Sequence, residues 1–399
     1  MVVRKLIKNV YSVGAIDWDR RLFDELIPTP DGTSYNAYLV KGSEKIALID
    51  AVDPEKAEEL FGNLEKLGIK HIDYLITNHA EQDHSGSIPM LLEQFPGSVV
   101  VTNAKCKELN MQHLQIPEDK FMVVGDGDTL SLGDKTLQFI IAPWVHWPET
   151  MFTYLQEDGI LFSCDFLGAH IAQSDLFVTD EHRFYEAAKR YFAEIMMPFR
   201  VQIRKHLTKL EGMDIKIVAP SHGPVNKNPG FIMDAYREWI SPEVKNEVLI
   251  PFVSMHGSTR TMVDYLTAAL VEHGITVKPF NLTVADLGEI AIALVDAATI
   301  VLGAPALLIG PHPVVANATY IVNALRPKTK FVSIVGSYGW GCQTAKRILE
   351  MTGNLKAEVL DPVIIKGHPK EEDFAALDRL AEDIRKKHES LKLLPPCEG

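Results

Sequence analysis

Asn78-His79-Ala80-Glu81-Gln82-Asp83-His84-Ser85-Gly86 places four metal-competent side chains within six positions, directly after the strand-like run YLIT (74–77). The C-terminal end of a strand is where an α/β fold puts its chemistry. Alternation lets His79 and Glu81 project to a similar side of an extended loop, and a turn after Glu81 lets the adjacent Asp83 and His84 serve a second ion. Three further candidates stand at the ends of predicted elements: His146 in PWVHWPET, Asp165 closing GILFSCD, and His222 in APSHGP. An isolated His-x-Glu reads as a solvated loop, but four imidazoles and three carboxylates are enough for two ions sharing one bridging carboxylate. Mixed imidazole and carboxylate ligation suits non-haem iron, although zinc also accepts Glu. A di-iron site is the expectation.

A second constellation follows the run EVLIPFVSM (247–255). Met255-His256-Gly257-Ser258-Thr259 offers hydroxyls and free backbone N–H groups where a strand gives way to a helix, which is a phosphate cradle. GxxxxGK[ST] is absent, so this is not a nucleotide-hydrolysing loop, and no GxGxxG for a dinucleotide occurs. Two more loops follow strand ends, Gly303-Ala304-Pro305-Ala306-Leu307 and Gly336-Ser337-Tyr338-Gly339-Trp340-Gly341. Glycines let the backbone approach a flat ring, and Tyr338 or Trp340 can cover it. Three such loops at the ends of parallel strands predict FMN, with its phosphate in the first loop and its ring between the other two.

These sites need two scaffolds. Up to about residue 245 the chain alternates short β-like runs, among them KIALID (45–50), SVVVTN (98–103), KFMVVGDGDTL (120–130), LQFIIA (137–142) and a hairpin across Asp158-Gly159, with helical patterns at 53–68, 87–95 and 183–212. Asp53-Pro54 reads as an N-cap followed by proline at the first helical position. From 247 onward strands at 247–253, 275–281, 299–305, 330–337 and 355–361 alternate with helices, which predicts a doubly wound parallel sheet. The break at Ser241-Pro242 sets the expected domains at 1–245 and 246–399.

The order His79-x-Glu81-x-Asp83-His84, His146, Asp165, His222 resembles the metallo-β-lactamase superfamily, with Glu81 where its zinc hydrolases carry a second His. Joined to a flavodoxin-like half, the chain resembles the flavodiiron proteins over nearly its whole length. That resemblance implies an N-terminal metallo-β-lactamase-like αββα domain followed by a flavodoxin-like domain. It implies reduction of NO to N2O or of O2 to water. It assigns His79, Glu81 and His146 to one iron, Asp83, His84 and His222 to the other, and Asp165 to the bridge. It also implies a head-to-tail homodimer or a dimer of dimers, and an external electron donor such as rubredoxin.

Other residues receive plainer readings. His170 is either a hydrogen-bonding neighbour of the pocket or a loop histidine, and His256 could reach the FMN phosphate. Trp144 and Trp147 are expected to wall the pocket. Tyr191 and Phe192 read as helix core, and Cys164 should face away from Asp165 by alternation. His71, His113, His182, His206, His273, His312, His368 and His388 lack metal-like neighbours. The net charge of −13 argues against a nucleic-acid binder. The widely spaced Cys106, Cys164, Cys342 and Cys397 offer no CxxC pair, so electrons should enter from a separate protein and the chain should be the minimal two-domain form. With no secretory leader and no run long enough to span a bilayer, a cytoplasmic protein without a membrane anchor is expected. Two alternatives stay open: a dizinc hydrolase regulated by a flavodoxin domain, and a non-enzymatic electron carrier.

Overall fold

The structure is a computed structural model describing residues 2–394, so Cys397 lies outside the described residues. The chain forms two compact units, Met1–Phe192 with Phe199–Ile240, and Ala193–Pro198 with Ser241–Gly399.

Among the described residues the first unit contains a seven-stranded sheet and a five-stranded sheet as its main layers. The larger runs Arg4–Ile7, Val10–Ser12, Tyr38–Lys41, Ile46–Ile49, Tyr74–Ile76, Val99–Thr102, Phe121–Val123, antiparallel through its first four strands and parallel thereafter. The smaller runs Thr129–Ser131, Thr136–Ile141, Met151–Leu155, Ile160–Cys164, Ile217–Pro220, with only its last pair parallel. Period-two alternation explains the layering. Tyr38, Val40, Ala47, Ile49, Ile76 and Val101 face the smaller sheet and meet Leu137, Phe139, Met151 and Phe162. The intervening Leu39, Leu48, Leu75 and Val100 turn the other way, onto Leu60 and Leu64 of helix Ala57–Lys66 and Ile88 and Leu91 of helix Ile88–Gln94. Across the smaller sheet, Phe152 meets His206 of helix Arg200–Leu210, and Phe166 just beyond strand Ile160–Cys164 meets Tyr236 of helix Pro229–Ile240. The layers are therefore helix, sheet, sheet, helix.

The second unit is a parallel sheet in the order Thr276–Asn281, Lys245–Phe252, Ala297–Gly303, Phe331–Tyr338, with Glu358–Val359 and Val363–Lys366 both pairing with Phe331–Tyr338. Read by chain order this is 2-1-3-4-5, the flavodoxin-like doubly wound arrangement.

Several local expectations change. The pattern at 183–212 is two helices, Glu181–Tyr191 and Arg200–Leu210, because the backbone between them passes through a π turn at Phe192–Met196 and a 3-10 turn at Met197–Phe199. Pro198 cannot donate to a continuous helical ladder. The run 120–130 is not one strand: Phe121–Val123 and Thr129–Ser131 belong to different sheets. The strand expected at 355–361 is split, and Val363–Lys366 was not anticipated. The N-terminal strands Arg4–Ile7 and Val10–Ser12 were also missed. Asp53 accepts from the Glu55 N–H as a cap should.

Candidate metal centre

All seven residues of the first constellation meet at one rim of the first unit. His79 follows strand Tyr74–Ile76, and Glu81 is the last extended residue before the short helix Gln82–Ser85 that turns Asp83 and His84 inward. His146 comes from the loop before Met151–Leu155, Asp165 directly follows Ile160–Cys164, and His222 follows Ile217–Pro220. Ligand atoms of His79, Glu81, His146 and Asp165 lie within 4.8 Å of one another, as do those of Asp83, His84 and His222.

Asp165 divides the cluster. Its Oδ1 lies 3.0 Å from His84 Nε2 and 3.3 Å from His222 Nε2, while its Oδ2 lies 3.5 Å from His79 Nε2 and 3.6 Å from His146 Nε2. Glu81 Oε2 is 3.1 Å from both His79 Nε2 and His146 Nε2, and Asp83 Oδ2 is 3.1 Å from His222 Nε2. Two ligand atoms each about 2.1 Å from a common ion stand about 3.0–3.4 Å apart at octahedral or tetrahedral angles. Most of these separations match. Both oxygens of Asp83, both oxygens of Asp165 and both ring nitrogens of His84 are buried with no aligned hydrogen-bond partner in the protein. A native structure rarely leaves such groups unsatisfied, and cations among them would resolve the four carboxylate oxygens and His84 Nε2, the nitrogen that faces Asp165 and Asp83. The residues fit a two-metal site.

Electrostatics agree. Burial alone pushes His222 toward neutrality, yet Asp165 and Asp83 overcome it and lift its pKa to about 10. Burial raises Glu81, but His146 and His79 outweigh it and hold its carboxyl far below the ordinary range. The carboxylates therefore demand positive charge at these positions, which a metal pair would supply.

A network sets the loops in place. Buried Asp50 accepts from the Asn78 N–H at 2.8 Å, from Asn78 Nδ2 at 2.9 Å and from Ser221 Oγ at 3.2 Å, tying the residues just before His79 and His222 to one carboxylate. Asn36 Nδ2 donates to the carbonyls of Pro220 and Gly223 at 2.8 and 2.7 Å, which brackets His222. His222 Nδ1 donates to the Ser34 carbonyl at 2.7 Å, fixing Nε2 toward Asp83 and Asp165. His79 Nδ1 faces Glu149 Oε1 at 2.7 Å. His170 is buried beside this wall, its Nδ1 2.8 Å from Thr33 Oγ1 and its ring 4.7 Å from that of His222.

Glu149, Asp50 and Asn36 were missed in the sequence, where a lone acidic or amide residue carries no signal until its loop partners are known. A cavity of about 270 Å³ opens over Glu81 and Asp83, lined also by Phe23, Asp24, His113 and Trp147. Trp147 is thus a pocket wall, but Trp144 is 45% exposed and stacks on Phe199 instead. His113, read as featureless, lies at the pocket mouth. Tyr191 is buried with its ring 4.8 Å from His170, so it faces this wall rather than plain helix core. Cys164 does not simply face away: its φ of 52° breaks the alternation and leaves its sulfur within 4.8 Å of ligand atoms of His84 and Asp165. The alternation rule assumes extended backbone, and a left-handed residue departs from it.

In the second unit, Met255, His256, Ser258, Thr259, Pro305, Ala306, Ser337, Tyr338 and Gly339 line one pocket together with Ser254 and Gly367, neither of which was anticipated. Gly257, with φ +89°, precedes helix Ser258–Glu272 and has no side-chain cap; the Arg260 N–H donates to Ser254 Oγ at 3.1 Å, which leaves the Ser258 and Thr259 N–H groups to a ligand. Ala304 is buried behind the pocket, Leu307 and Trp340 are exposed, and neither they nor Gly257 and Gly341 belong to its lining. A Cβ built on Gly257, Gly339 or Gly367 would meet no protein atom within 4 Å, so these glycines border open space of the kind a flat ring or phosphate would fill. The pocket fits a flavin in its chemistry.

Residues 33–223 match the model of the ODP family beta lactamase. The chain is 36% identical to the nitric oxide reductase of Moorella thermoacetica over 88% of this chain and 90% of the relative. It superposes on the rubredoxin oxygen:oxidoreductase of Desulfovibrio gigas with a TM-score of 0.94 at 30% identity, covering 98% and 99% of the two chains. It superposes on the flavodiiron protein of Giardia intestinalis with a TM-score of 0.92 at 28% identity, covering 99% of each chain. On these likenesses over nearly its whole length, the chain belongs to the flavodiiron proteins.

Proposed function

We propose that the chain is a flavodiiron oxidoreductase that reduces NO to N2O or O2 to water, with electrons relayed through FMN from an external carrier such as rubredoxin. The observation that carries this reading is the split of Asp165, one oxygen facing His84 and His222 and the other facing His79 and His146. In this reading His79, Glu81 and His146 hold one iron, Asp83, His84 and His222 hold the other, and Asp165 bridges them. Met255, His256, Gly257, Ser258 and Thr259 receive the FMN phosphate. Ala304, Pro305, Ala306, Leu307, Ser337, Tyr338, Gly339, Trp340 and Gly341 belong to the loops around its ring.

When bound, the two ferrous ions and the flavin supply several electrons at one place, which is what joining two NO molecules or cleaving O–O requires. The chain supplies enclosure, orientation and protons. Phe23 and Trp147 give the cavity apolar walls suited to an uncharged diatomic. Burial, reinforced by Asp165, holds the Tyr191 hydroxyl protonated, so it remains a hydrogen-bond donor at every physiological pH. Burial and the carboxylates of Glu81 and Asp83 raise Asp24 at the pocket mouth, which brings its neutral acid form closer to neutral pH. Both reactions consume protons, and such a group can release one into the pocket.

Prompt electron supply protects an oxygen-handling site from self-damage. That supports a head-to-tail homodimer, alone or as a dimer of dimers, bringing one subunit's flavin close to the partner's irons. Among the described residues no helix is long and apolar enough to cross a membrane, and we place the enzyme in the cytoplasm. The competing reading is a dizinc hydrolase, favoured only by the tolerance of the same geometry for zinc. Elemental analysis of protein expressed with both metals available separates them. About two irons per chain with stoichiometric FMN is expected, and about two zincs with no iron would overturn the redox reading.

A further inference from the structure

Glu149 lies three residues after His146, so one loop carries both a candidate ligand and a buried carboxylate. Its side chain is fully buried and takes two N–H donors on one oxygen: His79 Nδ1 at 2.7 Å and the Ala80 N–H at 3.1 Å. Its own carbonyl accepts from Asn103 Nδ2 at 2.6 Å, and Asn103 caps helix Ala104–Leu114, so the residue is anchored on both sides. The Trp147 ring packs edge-on against His79 at 5.1 Å. His79 can therefore present only Nε2 to Glu81 and Asp165.

The other half of the cluster is built differently. His222 Nδ1 donates to a neutral carbonyl, that of Ser34. His84 Nδ1 is buried with no aligned hydrogen-bond partner in the protein. A carboxylate behind one imidazole orients the ring and makes it a stronger donor, and a full negative charge there favours the higher oxidation state of the metal it serves.

We propose that Glu149 is a positioning residue that makes the two metal positions unequal, tightening the one formed by His79, Glu81 and His146 and lowering its reduction potential relative to the one formed by Asp83, His84 and His222. The inference rests on the two-metal reading of the preceding section. It carries an order of events: the His79 position fills first when metal is scarce, and it is the harder of the two to reduce.

The test is an anaerobic titration of metal-free wild type, Glu149→Ala and Glu149→Gln with Fe(II) alone, with circular dichroism of each metal-free protein as the folding control. In Glu149→Ala the tighter of two binding steps should weaken by about 10–100-fold, the usual effect of removing such an outer partner, while the weaker step stays put. Glu149→Gln keeps an acceptor oxygen at the same distance but removes the charge. It should retain most of the affinity while the potential of that iron, read from the mixed-valence signal during a redox titration, rises. Each tenfold change in the oxidised-to-reduced preference is about 59 mV for one electron. If Glu149→Ala does not fold, the potential of Glu149→Gln decides alone. Equal weakening of both steps, or an unchanged potential in Glu149→Gln, overturns the inference. Fewer than two ions bound by wild type would instead overturn the two-metal reading beneath it.

Discussion

Acid should loosen the flavin-binding unit through one histidine. His388, on helix Glu371–Ser390, is fully buried against the sheet. Its Nδ1 lies 2.8 Å from Asn246 Oδ1, and Asn246 Nδ2 donates to the Gly274 carbonyl, which fixes the amide so that the oxygen faces the ring. Nδ1 therefore carries the proton, and Nε2, 2.8 Å from Thr299 Oγ1, accepts. The neutral ring is satisfied as it stands, and burial depresses its pKa from 6.5 to about 4. The unfolded chain takes up a proton as pH falls through about 6.5, whereas the folded unit resists until about 4, so stability is full above the first value and declines toward the second. Between pH 8 and pH 5 the loss works out at about 2 kcal/mol, trimmed by whatever solvent screening reaches the ring. Thr299 lies on strand Ala297–Gly303, which leads into the pocket residues Pro305 and Ala306. Urea unfolding followed by circular dichroism, or flavin release on acidification, would measure the effect. His388→Gln keeps hydrogen-bonding capacity without titrating, so its acid limb should flatten by about that amount. Parallel pH profiles for the two proteins would refute the reasoning.

Other outcomes follow from the same geometry. Asp165→Ala removes the carboxylate facing all four imidazoles, so bound metal should fall from about two ions per chain to one or none by elemental analysis; retention of both would contradict the bridge. Asn36→Ala leaves the Gly223 carbonyl without its side-chain donor and the Pro220 carbonyl with the Tyr38 hydroxyl alone, and should cost about 1–3 kcal/mol in denaturant unfolding of the first unit while weakening metal at His222. Gly336→Ala drives a Cβ to 2.0 Å from the Ala304 carbonyl and should destabilise the second unit by about 3 kcal/mol or more in thermal unfolding. Gly339→Ala meets no protein atom, so it should leave unfolding unchanged and lower flavin affinity instead, as read by fluorescence titration.

What could be read in the chain differs by the range of the physics involved. The ligand types and their placement at strand ends are local, so the seven-residue cluster and its order were visible in the sequence. The same holds for the alternating strands and helices after residue 245, where each strand ends on a loop of distinctive composition. Features that depend on distant partners were invisible. Glu149 looks like any surface acid until His79, seventy residues earlier, is folded onto it. Asp50 gains meaning only where Asn78 and Ser221 converge. Periodicity ran straight through Phe192–Phe199 because apolar spacing persists there, although Pro198 already marked the break. Cys164 was misread because alternation presumes an extended backbone and its φ is positive. In the second unit, Gly367, just after strand Val363–Lys366, lines the pocket, and no local pattern in the chain marked it.

The central claim is a metal pair that, refilled by flavin, turns over a diatomic. The most direct measurement mixes flavin-reduced, diferrous protein anaerobically with NO or with O2 in separate runs, with a reduced carrier protein such as rubredoxin in excess. Gas analysis then quantifies N2O, an electrode follows O2, and repeated additions reveal inactivation. The account predicts sustained turnover with at least one of the two gases, with N2O or water as product and flavin reoxidised in step. A reduced, two-iron protein whose flavin passes electrons to neither gas, or that does so unchanged after Asp165→Ala, would contradict it.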